Sequence, residues 1–178
     1  MLNWLAKRAR RKRNAHEIYG SIVALSRSPE LYTQLRVPDT LEGRFEILVL
    51  HVFLFVGRMH AEGDEAKPLA QEIVDLLFAD LDTTSRESGV GDLVVPKKMR
   101  NLAAVYQERI AQYGNAVGAD DRDGLSKEFK QIVYDNGESA EQSAAMLSDY
   151  AMNLMRDLAR TPLAELHLVH ERIEETQG

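Results

Sequence analysis

The sequence predicts an all-α fold, a single compact domain of about seven or eight helices around a central apolar helix near residues 39–62. Three observations carry that prediction. A chain of 178 residues is long enough to bury a sizeable core, and five prolines with 11 glycines are too few for a disordered one. Apolar residues recur at threes and fours through most of the chain, which is helical spacing. Helix-start and helix-stop signals of the Ser-Pro-Glu, Asp-x-x-Glu and Gly kinds separate those stretches.

The chain divides by charge into a basic head, residues 1–15, and an all-helical body, residues 16–178. The head combines Leu2, Trp4 and Leu5 with Lys7, Arg8, Arg10, Arg11, Lys12 and Arg13. That mixture suits an anionic membrane surface, where Lys and Arg are attracted and Trp favours the headgroup level. A solvated basic helix end is the plainer reading of the same residues. Beyond it, Ile18, Ile22 and Leu25 keep helical spacing to about Arg27. Ser28-Pro29-Glu30 then opens a short helix carrying Leu31, Tyr32 and Leu35, which Pro38 stops.

The central helix follows, with Asp39 as expected cap and Glu42 at capping-box spacing. Phe45, Val49, Val52, Val56 and Met59 share one face at about 100° per residue, and Ile47, Leu50 and Leu54 cover another. A helix so apolar belongs in the interior. One polar stripe interrupts it, with Arg44, His51 and Arg58 at seven-residue spacing, and such groups must meet acids, solvent or a partner. Gly63 ends the helix.

Leu69, Ile73, Leu76 and Leu77 mark the next helix, and Asp80 lies on their side of it. A carboxylate there needs a cation, so Arg44 and Asp80 are expected partly buried and close to each other or to Arg86 and Asp92. Thr83 to Pro96 is the main interruption, a turn in which Gly89 and Gly91 flank Val90 and Asp92 caps or pairs. Leu93-Val94-Val95 is at most a short extended piece. Pro96 opens a helix with Met99, Leu102, Tyr106, Ile110, Tyr113 and Val117 along one stripe. Leu125, Phe129, Ile132 and Val133 define another, Leu147 to Leu158 a third, and Thr161-Pro162 begins the last.

Composition removes several function classes. Without cysteine there is no disulfide, thiolate zinc site or cysteine nucleophile. The net charge of −6 splits into +6 over residues 1–36 and −12 over the remainder. An acidic body argues against specific DNA binding, which needs a positive docking face. The apolar run Ile47 to Gly57 is shorter than the ~20 residues that span a bilayer. His167 and His170 stand three apart without an acidic third ligand at zincin spacing, so packed histidines are favoured over a metal site. His51 invites a haem or proton-relay idea, but a structural hydrogen bond explains it more simply. Asp75, Asp80, Asp82, Glu87 and Asp92 lack the EF-hand spacing and serve better as partners for arginines and for Lys97, Lys98 and Arg100. No G-x-S-x-G elbow is present. The expectation is therefore a protein without cofactor or catalytic chemistry that recognises other proteins. Met59, Met99, Met146, Met152 and Met155 are candidates for adaptable contacts with an apolar partner helix.

Two blocks of sequence carry a resemblance. YGSIVALSRSPELYTQLRVPDTLEGRFEILVLHVFLFVGRM, residues 19–59, and FADLDTTSRESGVGDLVVPKKMR, residues 78–100, resemble in order the two signatures of the ubiquinol-cytochrome c chaperone family. Matching positions include Tyr32, Asp39, Gly43, Arg44, Phe45, Glu46, His51, Asp80, Asp82, Arg86, Glu87 and Asp92. The chain departs from the pattern at Thr83-Thr84-Ser85 and Ser88, and at Gln107-Glu108-Arg109. What the resemblance implies is a non-enzymatic assembly chaperone for the ubiquinol-cytochrome c reductase complex, complex III of the respiratory chain. Its implied partners are cytochrome b or complex III assembly intermediates, a small partner protein and the ribosome. The short basic head, unlike a long organelle presequence, leads to the expectation of a cytoplasmic, peripheral location at the inner face of a bacterial inner membrane. The alternative is a membrane-surface scaffold or regulatory protein-interaction module with a lipid-binding head.

Overall fold

Local chemistry sets the helix bounds, and the computed structural model describes them over residues 2–89, 91–137 and 139–177. Val90 of the glycine turn, and the side chain of Leu2 in the head, lie outside the described residues. The described chain is all-α, as the periodicity predicts. Its helices are α1 (Leu2–Ser26), α2 (Pro29–Thr33), α3 (Leu41–Glu62), α4 (Lys67–Glu87), α5 (Val95–Gly118), α6 (Arg122–Ile132), α7 (Ala140–Arg160) and α8 (Val169–Gln177). Short 3-10 stretches, Asp64–Ala66 and Leu163–Leu168, precede α4 and α8.

The start of α3 differs from the expected one by a residue. Thr40, not Asp39, is the cap: its hydroxyl accepts the Gly43 backbone N–H at 3.1 Å. Asp39 lies one position too early for that bond and pairs with Arg44 instead. Gly43 has a steric reason, because a Cβ there would stand 2.1 Å from the Pro38 carbonyl oxygen. The chain folds back that closely on itself only without a side chain. At the other end Gly63 takes φ 110°, a conformation that favours glycine, and α3 stops.

Two other local expectations are corrected. Ser28 precedes α2 but makes no side-chain cap bond, so Pro29 in the first turn is the operative start signal. Leu93-Val94-Val95 is not extended; it is a turn that runs into α5, with Pro96 in the first turn.

Helix α3 touches α1, α4, α5 and α7 and lies at the middle of the core. Ile47, Val49, Val52, Phe55 and Met59 have no exposed surface. Ile18 and Ile22 of α1, Ile73 and Leu77 of α4, Leu125 and Phe129 of α6 and Leu147 of α7 complete the same cluster, all equally sealed. Each such side chain contributes about 1.5–3 kcal/mol over leaving it in water. Side chains of α1, α3, α4 and α5 line a recess beside the first half of α3.

Candidate partner-docking groove

A groove of about 570 Å³ opens where the first two turns of α3 meet the C-terminal ends of α1 and α4 and the first turns of α5. Leu41, Phe45 and Leu48 of α3, Leu81 of α4, and Leu102 and Val105 of α5 give it an apolar lining. Leu41 forms an open lip, 72% exposed, although it begins the most buried helix of the fold. Such a side chain stays in water only where nothing within the chain covers it. A smaller recess of about 420 Å³ between α1 and α4 adjoins the groove through Val23, Arg27 and Asp80.

Polar groups line the groove in fixed positions. Glu46 accepts two hydrogen bonds from Arg109 of α5, both at 2.9 Å, and both side chains are largely buried. This fork across 63 residues of chain ties α3 to α5. Asp80 accepts the Tyr19 hydroxyl at 3.0 Å and ties α4 to α1. Burial, with the Asp80 charge beside it, pushes the Tyr19 hydroxyl well above the ordinary phenol range, so it remains a donor. Arg44 lies exposed on the rim, paired with Asp39 and resting over the Tyr32 ring at 5.8 Å. Tyr32 in turn donates to the Ser26 carbonyl at 2.7 Å, holding α2 against the end of α1. Arg27 and Lys98 line the groove, and their side chains make no hydrogen bond or ion pair among the described residues.

The candidate residues thus separate into groups. Tyr32, Arg44, Phe45, Glu46 and Asp80 come together in the groove. His51 does not: it is fully buried, its Nδ1 donating to the Ile47 carbonyl at 2.8 Å and its Nε2 accepting the Tyr150 hydroxyl of α7 at 2.7 Å. Burial pushes its pKa down to about 4, which keeps the ring neutral. Asp82 and Arg86 in the last turns of α4 form a set at the surface with Asp92 in the turn that follows, where Arg86 bonds Asp82 and Asp92, each at 2.7 Å. Glu87 beside them is exposed. Trp4, Lys7, Arg8, Arg10, Lys12 and Arg13 are exposed at the start of α1, and Arg11 reaches Glu72 at 3.2 Å.

Several expected contacts are not made. Arg44 and Asp80 do not pair, and Arg44 is exposed rather than partly buried, because Asp39 is five residues away on the same strand of chain and claims it first. Lys97, Lys98 and Arg100 pair with none of the acids in the turn. Of the methionines, Met59 and Met152 are core, Met146 is exposed, and none of the five lines the groove. His170 Nδ1 meets the Ser21 hydroxyl at 3.1 Å, a packing bond. Among the described residues no group of three His, Asp or Glu is placed to hold a metal ion, and no helix is long and apolar enough to cross a membrane.

Sequence reasoning missed Arg109, Arg27 and Lys98 as groove residues and Tyr19 as the partner of Asp80. Only Arg109 had a signal, a lone cation within one turn of the apolar stripe of α5.

The chain is similar to known proteins. The family model described as ubiquinol-cytochrome C chaperone matches residues 33–170. The crystal structure of the Cbp3 homolog from Brucella abortus superposes with a TM-score of 0.80 at 34% identity, covering 94% of this chain and 93% of that one. Ubiquinol-cytochrome c reductase complex assembly factor 1 of Mus musculus is 25% identical over 144 residues, 81% of this chain and 48% of its own length. The Homo sapiens protein of that name is 28% identical over 107 residues, 60% of this chain and 36% of its own. The chain therefore spans about half the length, or less, of the curated relatives it matches.

Proposed function

This chain belongs to the ubiquinol-cytochrome c chaperone family, and from that premise we propose that it holds an apolar segment of a reductase subunit in the α1–α3–α4–α5 groove during assembly of the complex. The observation that carries the reading is the groove itself: an uncovered apolar trough whose polar rim is built by Tyr32, Arg44, Glu46 and Asp80, from both signature blocks. A helix laid into such a trough buries apolar surface along its floor and meets fixed charges at its edges, the arrangement by which helical segments are recognised. Cytochrome b, or an assembly intermediate that contains it, is the client in this reading, since membrane-spanning helices leave apolar side chains uncovered until they are packed. The action is binding and release, with no covalent bond made or broken. A small partner protein and the ribosome are further partners in this reading, and the surface formed by Asp82, Arg86 and Glu87 at the end of α4 with Asp92 of the following turn is available to them. The place of action is the membrane surface where such a client emerges.

Photo-crosslinking tests it. A crosslinking residue at Leu41, on the groove lip, should capture a subunit of the reductase in cells; one at Met146, exposed on α7 and outside the groove, should not. Equal capture at both positions, or normal levels of assembled reductase in cells without the gene, would overturn the proposal.

A further inference from the structure

The first turns of α1 take no part in the groove or the core. From Trp4 to Arg10 every side chain is exposed, and full burial begins only at Ala15. Within residues 7–13 all but Ala9 are Lys or Arg, and no acid precedes Glu17. Like charges three and four apart, such as Lys7 with Arg10 and Arg11, or Arg8 with Arg11 and Lys12, repel one another along a helix. Arg11 is relieved by Glu72, and Arg8 lies over the Trp4 ring at 5.6 Å. The side chains of Lys7, Arg10, Lys12 and Arg13 make no hydrogen bond or ion pair among the described residues. Helical spacing sends these cations to every side, so the segment is a rod of positive charge without an apolar stripe. At its tip stand Trp4, 62% exposed, and Leu5, 54% exposed.

We propose that this rod docks the protein on an anionic lipid bilayer, the basic residues meeting lipid headgroups while Trp4 and Leu5 enter the interfacial layer. The tip favours lipid over RNA. An indole beside a leucine suits the boundary between headgroups and acyl chains, whereas a leucine offers a base no face to stack on. The distribution of charge agrees. Past residue 36 the chain carries −12, so a polyanion lying along the molecule is repelled, while a flat surface meets the head alone. Helix α1 is unbroken from Leu2 to Ser26, and it lines the groove at Val23 and Ser26, with Arg27 just past its end. At ~1.5 Å per residue the near edge of the groove, at Val23, then lies about 28 Å along α1 from Trp4. The docking does not rest on the client reading and is tested without a client.

The full chain is mixed with vesicles of phosphatidylcholine alone or with added phosphatidylglycerol, and binding is followed by co-sedimentation. Trp4 is the single tryptophan, so its emission reports the head directly. The expected result is binding to the anionic vesicles only, with a blue shift of Trp4 that high salt abolishes. Each cation removed should weaken partitioning about fivefold, so Lys7→Gln with Arg10→Gln should cost about 25-fold while the circular dichroism spectrum stays unchanged. Lys7→Arg should bind as the parent does. Equal binding to neutral vesicles, an unshifted Trp4 on bound vesicles, or displacement from anionic vesicles by an oligoribonucleotide at equal charge would overturn the inference.

Discussion

The two halves of α3 use their polar residues in opposite ways. In the half facing α7, His51 and Arg58, the polar groups set against the core, are consumed inside the fold. His51 spans from its own helix to Tyr150, and Arg58 caps the end of α7, its Nε donating to the Leu158 carbonyl at 2.9 Å and its Nη2 to the Thr161 carbonyl at 3.1 Å. In the half facing the groove, Glu46 is anchored to Arg109 but Arg44 stays on an open rim beside the exposed Leu41. A stripe that looks uniform in sequence thus runs from structural to available. The teaching is that a charge on an apolar helix is informative only once its partners are counted: satisfied polar groups hold helices together, and uncovered ones mark a surface for something else.

The sharpest way to break this comparison is at the anchored pair. Glu46→Ala leaves the Arg109 guanidinium largely buried without its carboxylate, and the expected loss is about 3–5 kcal/mol in denaturant unfolding. Glu46→Leu combined with Arg109→Leu should recover most of that, since an apolar pair carries no stranded charge. A double variant no better than the single one would show that the groove depends on the charges themselves.

Acid tests the other half. His51 is neutral in the fold with a pKa of about 4, whereas in the unfolded chain it titrates near ~6.5. Between those values the unfolded chain takes up the proton first. Stability is therefore fully present above about pH 6.5 and falls by roughly 3 kcal/mol as pH drops to 4. Equilibrium unfolding across that range should show the slope, and His51→Leu should remove this component of it. Arg58→Ala comes next in size: two carbonyls at the end of α7 lose a charged donor, for a loss of about 2 kcal/mol, with amide exchange accelerated in the last turn of α7.

What was legible in the sequence follows the range of the interactions. The all-α class and the place of α3 rest on periodicity and on Gly63, which act within a few residues, and they read correctly. The exact cap did not, because Asp39 and Thr40 are both competent and the choice depends on Pro38 approaching Gly43. Partners for Asp80 and Glu46 were beyond reach: Tyr19 and Arg109 are 61 and 63 residues away, brought in by helix crossings that no local pattern encodes. Nearby Arg44 looked a better match for Asp80 by charge alone. The resemblance did name Tyr32, Arg44, Phe45, Glu46 and Asp80 together, but the reason they belong together is a recess made by several helices, visible only when those helices are packed.

The smallest structural effect is expected at the rim, and it is the most discriminating. Arg44 and Asp39 are each 58% exposed as side chains, so water replaces what the pair provides and long side chains regain freedom when it is broken. Arg44→Ala should leave the melting temperature within experimental scatter, since the cap at Thr40 and the close approach at Gly43 hold the start of α3 without it. Crosslinking from Leu41 to the reductase subunit should nevertheless fall, because the rim loses a cation and the Tyr32 ring loses the guanidinium above it. A variant that melts early would move Arg44 to the structural side with Arg58; one that melts normally and crosslinks normally would leave the groove floor, from Phe45 to Val105, as the part that grips.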